Sequence, residues 1–274
     1  MAIEISTRFD ETITVALAAF PWTKLVTQSS DGQRELEQSV VYLGNQACRF
    51  GDLFACKWCK DSAPIVWQGR TQNVNGIGQG LDAADMIVEG DAGDYLGLNL
   101  KSGRIDVGGN VGNWLGVDNR GGEIHVSGNC GDFAVAALPG KSHGGNGATV
   151  TIGGDAGEGL GLRMRRGVIA VAGDVGDVAA CEMLAGTVII GGKIRGHLGN
   201  QMKRGTIICK QIPQAGVGLG FNAGYQTTPQ AWPLISRFLQ ARLKMEWLPP
   251  LNAAFKCFHG DTVHKSRGEL WIAD

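Results

Sequence analysis

The sequence predicts an all-β chain built as a solenoid of coils about 19 residues long. The first observation is where glycine falls: it supplies 43 of the 274 residues, and 38 of these lie between Gly69 and Gly224. The second is a period. A Gly-polar-apolar-Gly tetrad starts at Gly90, Gly109, Gly128, Gly154 and Gly173 and decays at Gly192, in steps of 19, 19, 26, 19 and 19. The third is a pair of apolar columns in the same register: Ile105, Ile124, Val150, Ile169, Val188 and Ile207, then Val107, Val126, Ile152, Val171, Ile190 and Cys209. Residues two apart lie on one side of a strand, so the columns mark an inward face. Nineteen residues are too few for a helix pair or a four-stranded blade, whose repeats run to about 34–45 residues. Stacked coils pair each strand with its counterpart at about 4.8 Å, so six make a rod roughly 25–30 Å long.

Residues 1–64 read as irregular short strands, with SVVYLGNQACRFGDLF (39–54) the clearest strand and turn. The coils occupy residues 65–225, flanked by degraded copies in GRTQNVNGIGQG and KQIPQAGVGLG. A third column, Gly97, Gly116, Val135, Gly161, Ala180 and Gly199, is nearly all small, and a fourth, Leu100, Asn119, Leu138, Met164, Met183 and Met202, is mostly apolar. At each corner glycine permits a tight turn, often with φ > 0, against the turns above and below. Asp or Asn after the first Gly is expected to satisfy local backbone donors. The step of 26 is one period plus a seven-residue insertion from the Gly-rich segment Pro139 to Asn146. Thr228-Pro229 opens a helix in PQAWPLISRFLQARLKMEW, where Ile235, Phe238, Leu239 and Arg242 fall at helical spacing. The tail FHGDTVHKSRGELWIAD returns to strand. An uncovered terminal coil exposes strand edges, so residues 1–64 and 226–274, the latter with its helix, are read as caps.

Twenty-five basic against 26 acidic residues give a net charge of −1, without the basic excess of a nucleic-acid or membrane-surface protein. No run approaches the roughly 20 apolar residues of a spanning helix. The start lacks a basic n-region, and seven scattered cysteines do not form the framework of a small secreted domain, so a cytoplasmic protein is expected. Cys48, Cys56 and Cys59 are the best metal or redox candidates, because a C-x-x-C pair brings two thiolates to one zinc. The nearest second pair by type, Cys257 and His259, lies at the far end of the chain, so inert thiols and no metal site are expected. Cys130, Cys181 and Cys209 sit at repeat positions as packing residues. His125 points away from the core, His143 lies in the insertion, and His259 and His264 have the wrong spacing for one helical face. No G-x-S-x-G elbow occurs, and Gly76-Ile-Gly78-Gln-Gly80 and Gly216-Val-Gly218-Leu-Gly220 lack the strand, helix and distal acid of a dinucleotide site. No catalytic residue is assigned.

The 19-residue coils, the VVYLGN...GDLF segment before them and the HGDTVHKSRGELWI tail resemble the C-subunit family of formylmethanofuran dehydrogenase. The likeness covers essentially the whole chain, and the repeat core is also similar to the C-terminal domain of the glutamate synthase large subunit. The resemblance implies a right-handed parallel β-helix and a noncatalytic scaffold subunit. It implies one of two settings: a formyltransferase/hydrolase complex of bacterial methylotrophs, which is favoured, or a tungsten or molybdenum formylmethanofuran dehydrogenase of methanogenic archaea. In the first, a formyl group passes from tetrahydromethanopterin to a methanofuran-type carrier and is hydrolysed to formate. The implied partners are an amidohydrolase-like subunit with a metal pair, a formyltransferase subunit and a further subunit, with carrier and metals on the partners and no cofactor in this chain. An autonomous β-helix enzyme is a further alternative; the acids it would use, Asp91, Asp155 and Asp174, occupy equivalent turn positions.

One column stands apart. Lys101, Arg120, Arg165, Leu184 and Lys203 share a repeat position, with Arg166 and Arg204 beside two of them. Stacked cations repel one another unless solvated or matched by an anion. A solvated corner is one reading. The other is a ridge formed by Lys101, Arg120, Arg165 and Lys203 that holds a glutamyl-bearing carrier or an acidic partner surface.

Overall fold

Each repeat opens with a short run whose apolar residues two apart are buried, and in the computed structural model each such run is a strand laid parallel to the next. Residues 2–9, 14–17, 20, 22, 30–59, 64–243 and 248–273 are described. The chain begins with β1 (Ala2–Thr7), β2 (Val15–Ala16), α1 (Ser30–Glu37), β3 (Val40–Leu43), β4 (Gln46–Arg49), the single turn α2 (Phe50–Leu53), β5 (Phe54–Cys59) and β6 (Ile65–Gln68). Then come β7 (Val74–Asn75) and the repeat strands β8 (Ala84–Val88), β9 (Gly103–Val107), β10 (Glu123–Val126), β11 (Asn146–Ile152), β12 (Arg166–Val171), β13 (Thr187–Ile190) and β14 (Arg204–Cys209). The chain closes with β15 (Asn222–Thr227), α3 (Trp232–Leu243), β16 (Phe255–Gly260) and β17 (Arg267–Ala273).

Among the described residues thirteen strands form one sheet in the order β15-β16-β17-β14-β13-β12-β11-β10-β9-β8-β6-β1-β5, parallel except for β5 at one edge and the antiparallel pairs β15-β16 and β16-β17 at the other. The register is the one the columns predict. Ile105 pairs with Ile124, Ile124 with Val150, Val150 with Ile169, Ile169 with Val188 and Val188 with Ile207. A second ladder of single parallel bridges joins Ala92, Val111, Cys130, Ala156, Val175 and Ile194, one per repeat. Between these two ladders the inward side chains form one core, in which Ile105, Val126, Val150, Leu160, Met164, Val188 and Met202 are almost wholly buried. Burying each such side chain contributes about 1.5–3 kcal/mol.

The N-terminal region closes one end with aromatic rings. Phe20, Trp22, Phe50, Phe54 and Trp67 are buried together, with centroids 4.6 Å apart for Phe20–Trp22 and 4.5 Å for Phe50–Phe54. At the other end the tail strand β17 supplies the rung after β14, pairing Ile207 with Leu270 and Cys209 with Ile272. The helix expected as an end cap packs instead along the outer face of the sheet. Trp232 and Leu239 of α3, with Phe255 and Cys257 of β16, bury Ala170, Ile189, Ile208 and Trp271. The outward column explains this: it is polar at Asp106, His125 and Thr151 and apolar from Ala170 onward.

Two expectations about the corners need correction. The tetrad Asp and Asn side chains do not serve local donors; they serve the next repeat. The backbone N–H groups of Asn110, Asn129, Asp155, Asp174 and Lys193 donate to Oδ1 of Asp91, Asn110, Asn129, Asp155 and Asp174 in turn, at 2.6–2.9 Å. Beside it runs a second ladder from Asn75 through Asp94, Asn113 and Asp132 to the N–H of Glu158, at 2.7–2.8 Å. Nor are the tetrad glycines in the left-handed region. That conformation belongs to the small-residue column, including Val135 at φ 58° and Ala180 at φ 51°. The insertion is exposed at residues 139–142, but Gly144 and Gly145 at its root are buried.

Candidate functional site

The basic ridge is built by the strand entries. The backbone N–H groups of Lys101, Arg120, Arg165, Leu184 and Lys203 donate to the carbonyls of Leu81, Leu100, Gly145, Met164 and Met183, 2.7–2.9 Å away, so all five occupy one corner of their repeats. A glycine then turns the chain into the strand. At Gly205, with φ +109°, a Cβ would stand 2.7 Å from the carbonyl oxygen of Gly186, so the position needs glycine both for its conformation and for the close approach.

The ridge is interrupted. Between Arg120 and Arg165 the inserted repeat presents Asn146, whose N–H donates to the Asn119 carbonyl, and Leu184 separates Arg165 from Lys203. The tail extends the ridge beyond its last repeat. Arg267 pairs in register with Arg204, and its N–H donates to the carbonyl of Lys203 at 2.9 Å. Sequence reasoning missed this residue. Its signal was the string Lys265-Ser266-Arg267-Gly268, which echoes Met202-Lys203-Arg204-Gly205 and Met164-Arg165-Arg166-Gly167.

Lys101 faces Asp82, with Nζ 3.8 Å from Oδ2. Among the described residues no carboxylate pairs with Arg120, Arg165, Arg166, Lys203, Arg204 or Arg267, and all six are exposed. Like charges about 5 Å apart repel by about 1–3 kcal/mol, depending on how well water screens them. An anionic ligand lying along the corner would relieve that repulsion. The opposite corner has the contrary sign, since the ladder residues include Asp91, Asp94, Asp132, Asp155 and Asp174.

Among the described residues the thiols and imidazoles do not converge. Cys48 lies on β4 of the small β4-β3-β2-β7 sheet, and its Sγ donates to the Val41 carbonyl at 3.6 Å. Cys56 lies on β5, where burial above all, and then Glu37, pushes its thiol up to about 12. The side chain of Cys59 lies outside the described residues. Burial likewise raises the thiols of Cys130, Cys181, Cys209 and Cys257. His125 Nδ1 stands 2.6 Å from Thr151 Oγ1, and burial lowers its pKa. His143 meets Ser142, His197 meets Asp177, and His264 meets Asp261, while the His259 ring lies beside Tyr225. Among the described residues no group of three or more His, Cys, Asp and Glu side chains is arranged to hold a metal, and no helix is long and apolar enough to cross a membrane.

No protein-family model matches the chain, and no curated protein matches it. A solved structure does. The chain is similar to one in the crystal structure of the formyltransferase/hydrolase complex (FhcABCD) from Methylorubrum extorquens in complex with methylofuran, with a TM-score of 0.87 and 29% identity. The likeness covers 99% of both chains.

Proposed function

We propose that this chain is the noncatalytic scaffold component, the C-subunit equivalent, of a cytoplasmic formyltransferase/hydrolase complex in tetrahydromethanopterin-linked one-carbon metabolism. The observation that carries the proposal is the end-to-end likeness to a chain of such a complex, crystallised with methylofuran. In this reading residues 65–225 are a right-handed parallel β-helix, and residues 1–64 and 226–274 are its flanking regions. The partners are an amidohydrolase-like subunit with a metal pair, a formyltransferase subunit and a further subunit, which hold the carrier and do the chemistry. The fate of the corner acids supports a structural role: the Oδ1 atoms of Asp91, Asp155 and Asp174 are acceptors for the next repeat, where a β-helix hydrolase would aim carboxylates at substrate.

The ridge of Lys101, Arg120, Arg165 and Lys203, extended by Arg267, binds the glutamyl part of the carrier or an acidic partner surface. Co-expression with the other subunits tests both statements. The expected result is a stable complex with formyltransferase and hydrolase activity, and an isolated chain inactive toward formyl carriers. Replacing Lys101, Arg120, Arg165 and Lys203 by Ser is expected to lower carrier content or assembly, more so at higher salt, because charge pairing is screened. Activity in the isolated chain overturns the scaffold reading. An unchanged complex with unchanged carrier content overturns the role of the ridge.

A further inference from the structure

The extra residues of the long repeat leave the coil at the basic ridge. Gly145, not Leu138, takes the place that Leu100, Met164 and Met202 take in their repeats: its N–H donates to the Val135 carbonyl at 3.0 Å, as theirs do to Gly97, Gly161 and Gly199 at 3.0–3.1 Å. Ala137 is still in the coil, its N–H on the Leu162 carbonyl at 2.9 Å, just as the Asn99 N–H lies on the Val117 carbonyl. The insertion is therefore residues 138–144. It rejoins the coil at Gly145, next to Asn146, the ridge position between Arg120 and Arg165. Insertions in stacked repeats emerge as loops on one face, and this one emerges beside the gap in the ridge.

The loop is stiff and carries a cation. The Lys141 N–H donates to the Leu138 carbonyl at 2.9 Å, closing a turn with Pro139 second and Gly140, at φ +82°, third. That turn type favours proline and glycine in those two places, so the loop is ordered before any ligand arrives. Pro139 is the one proline between residues 65 and 212, which confines this stiffening to the insertion. Lys141 is exposed, and among the described residues no carboxylate pairs with it. Turn closure keeps its Cα within about 7 Å of that of Leu138. From there its flexible stem can bring the ammonium to the stretch of ridge between Arg120 and Arg165. Shape then decides between the two kinds of acidic occupant. Residues 139–142 are exposed, and a Cβ on Gly140 would meet nothing within 4 Å, so the turn stands clear of the corner. A flat acidic surface laid along the ridge would strike the loop before it reached Arg120 or Arg165. A single extended chain can pass beside the loop, with carboxylates toward the ridge and toward Lys141. We infer that loop 138–144 is a clasp, in which Lys141 holds an extended chain of carboxylates against Arg120 and Arg165. This rests on the ridge reading above and selects a chain over a partner surface as its occupant.

Fluorescence anisotropy of a labelled octaglutamate peptide titrated with the full chain tests it. The wild-type chain is expected to bind, and to bind more weakly as salt rises. Lys141→Ser should weaken binding by about threefold, as the loss of one partly solvated charge pair implies, and Lys141→Arg should keep wild-type affinity. The side chain is exposed, so an unchanged thermal midpoint is expected and verifies that each variant folds. Weakened binding in R120S/R165S together with wild-type affinity in Lys141→Ser overturns the inference and leaves the ridge reading intact. Absence of octaglutamate binding by the wild-type chain also overturns the inference. The ridge reading then stands if replacing its four cations lowers assembly with the other subunits, and falls with the inference if it does not.

Discussion

At Asp155 one carboxylate oxygen joins two repeats, because its Oδ1 accepts the Asp174 N–H at 2.7 Å while its own N–H reaches Oδ1 of Asn129. Ala there leaves one donor unpaired and is expected to cost about 1 kcal/mol, whereas Asn, which fills the same role at Asn110 and Asn129, should be nearly neutral. The glycines follow from this ladder. A Cβ on Gly128 would stand 2.6 Å from Oδ1 of Asn110 and 2.8 Å from the Gly109 carbonyl oxygen, so Gly128→Ala should destabilise by about 1–3 kcal/mol. Gly140 in the insertion has nothing within 4 Å and should tolerate Ala with only the strain of its φ of +82°. Urea unfolding of the variants checks the order, and a Gly128→Ala midpoint equal to wild type would contradict it. The sequence displays the Gly and the Asx of each tetrad side by side, but a linear string does not reveal that the side chain of one tetrad occupies the space beside the glycine of the next.

Strands show what periodicity can and cannot predict. The inward columns were legible because alternation at period two, repeated at 19, fixes both the face and the register. The tail reads as strand, but its place beside β14, and with it Arg267, was hidden because it enters the sheet from a distant part of the chain, outside the period. The placement of α3 was legible in principle, since the residue between the two inward columns changes from Asp106 and His125 to Ala170, Ile189 and Ile208. That change divides the sheet into an open half and a covered half. Ile208→Ala should therefore cost about 2–5 kcal/mol although it lies on the outer face, because it empties volume beneath Trp232 and Phe255. Hydrogen exchange should show the loss first in α3, β16 and β17, with β8–β11 still protected. Uniform loss across all the strands would mean that the covered half does not open by itself.

Over the whole molecule, one buried carboxylate adds to the β14–β17 pairing that closes the C-terminal end. Asp261 is 7% exposed and ties the last coil to the tail: Gln201 N–H donates to its Oδ2 at 3.2 Å, Val263 N–H to its Oδ1 at 3.0 Å, and His264 Nδ1 lies 2.7 Å from Oδ2. Burial works to raise its pKa, but the hydrogen bonds from His264, Gln201 and Val263, with the His264 charge, hold it below the ordinary value of 3.8. Asp177, at a corner inside the array, is also held low, chiefly by the N–H groups of His197 and Val178. A carboxylate whose folded pKa is depressed contributes stability above its unfolded pKa and loses it as the pH falls through the folded value. Stability should accordingly decline below about pH 4, where unfolded carboxylates begin to bind protons. The two sites differ in what they release. Asp177 joins neighbouring repeats that the sheet also holds, whereas Asp261 joins the array to a tail whose removal bares the edge of β14. Asp261→Asn should reproduce at neutral pH the early acid state, with the tail cleaved by protease while the repeats resist, and should flatten the fall in stability below pH 4. If Asp177→Asn frees the tail and Asp261→Asn does not, the closure is held elsewhere.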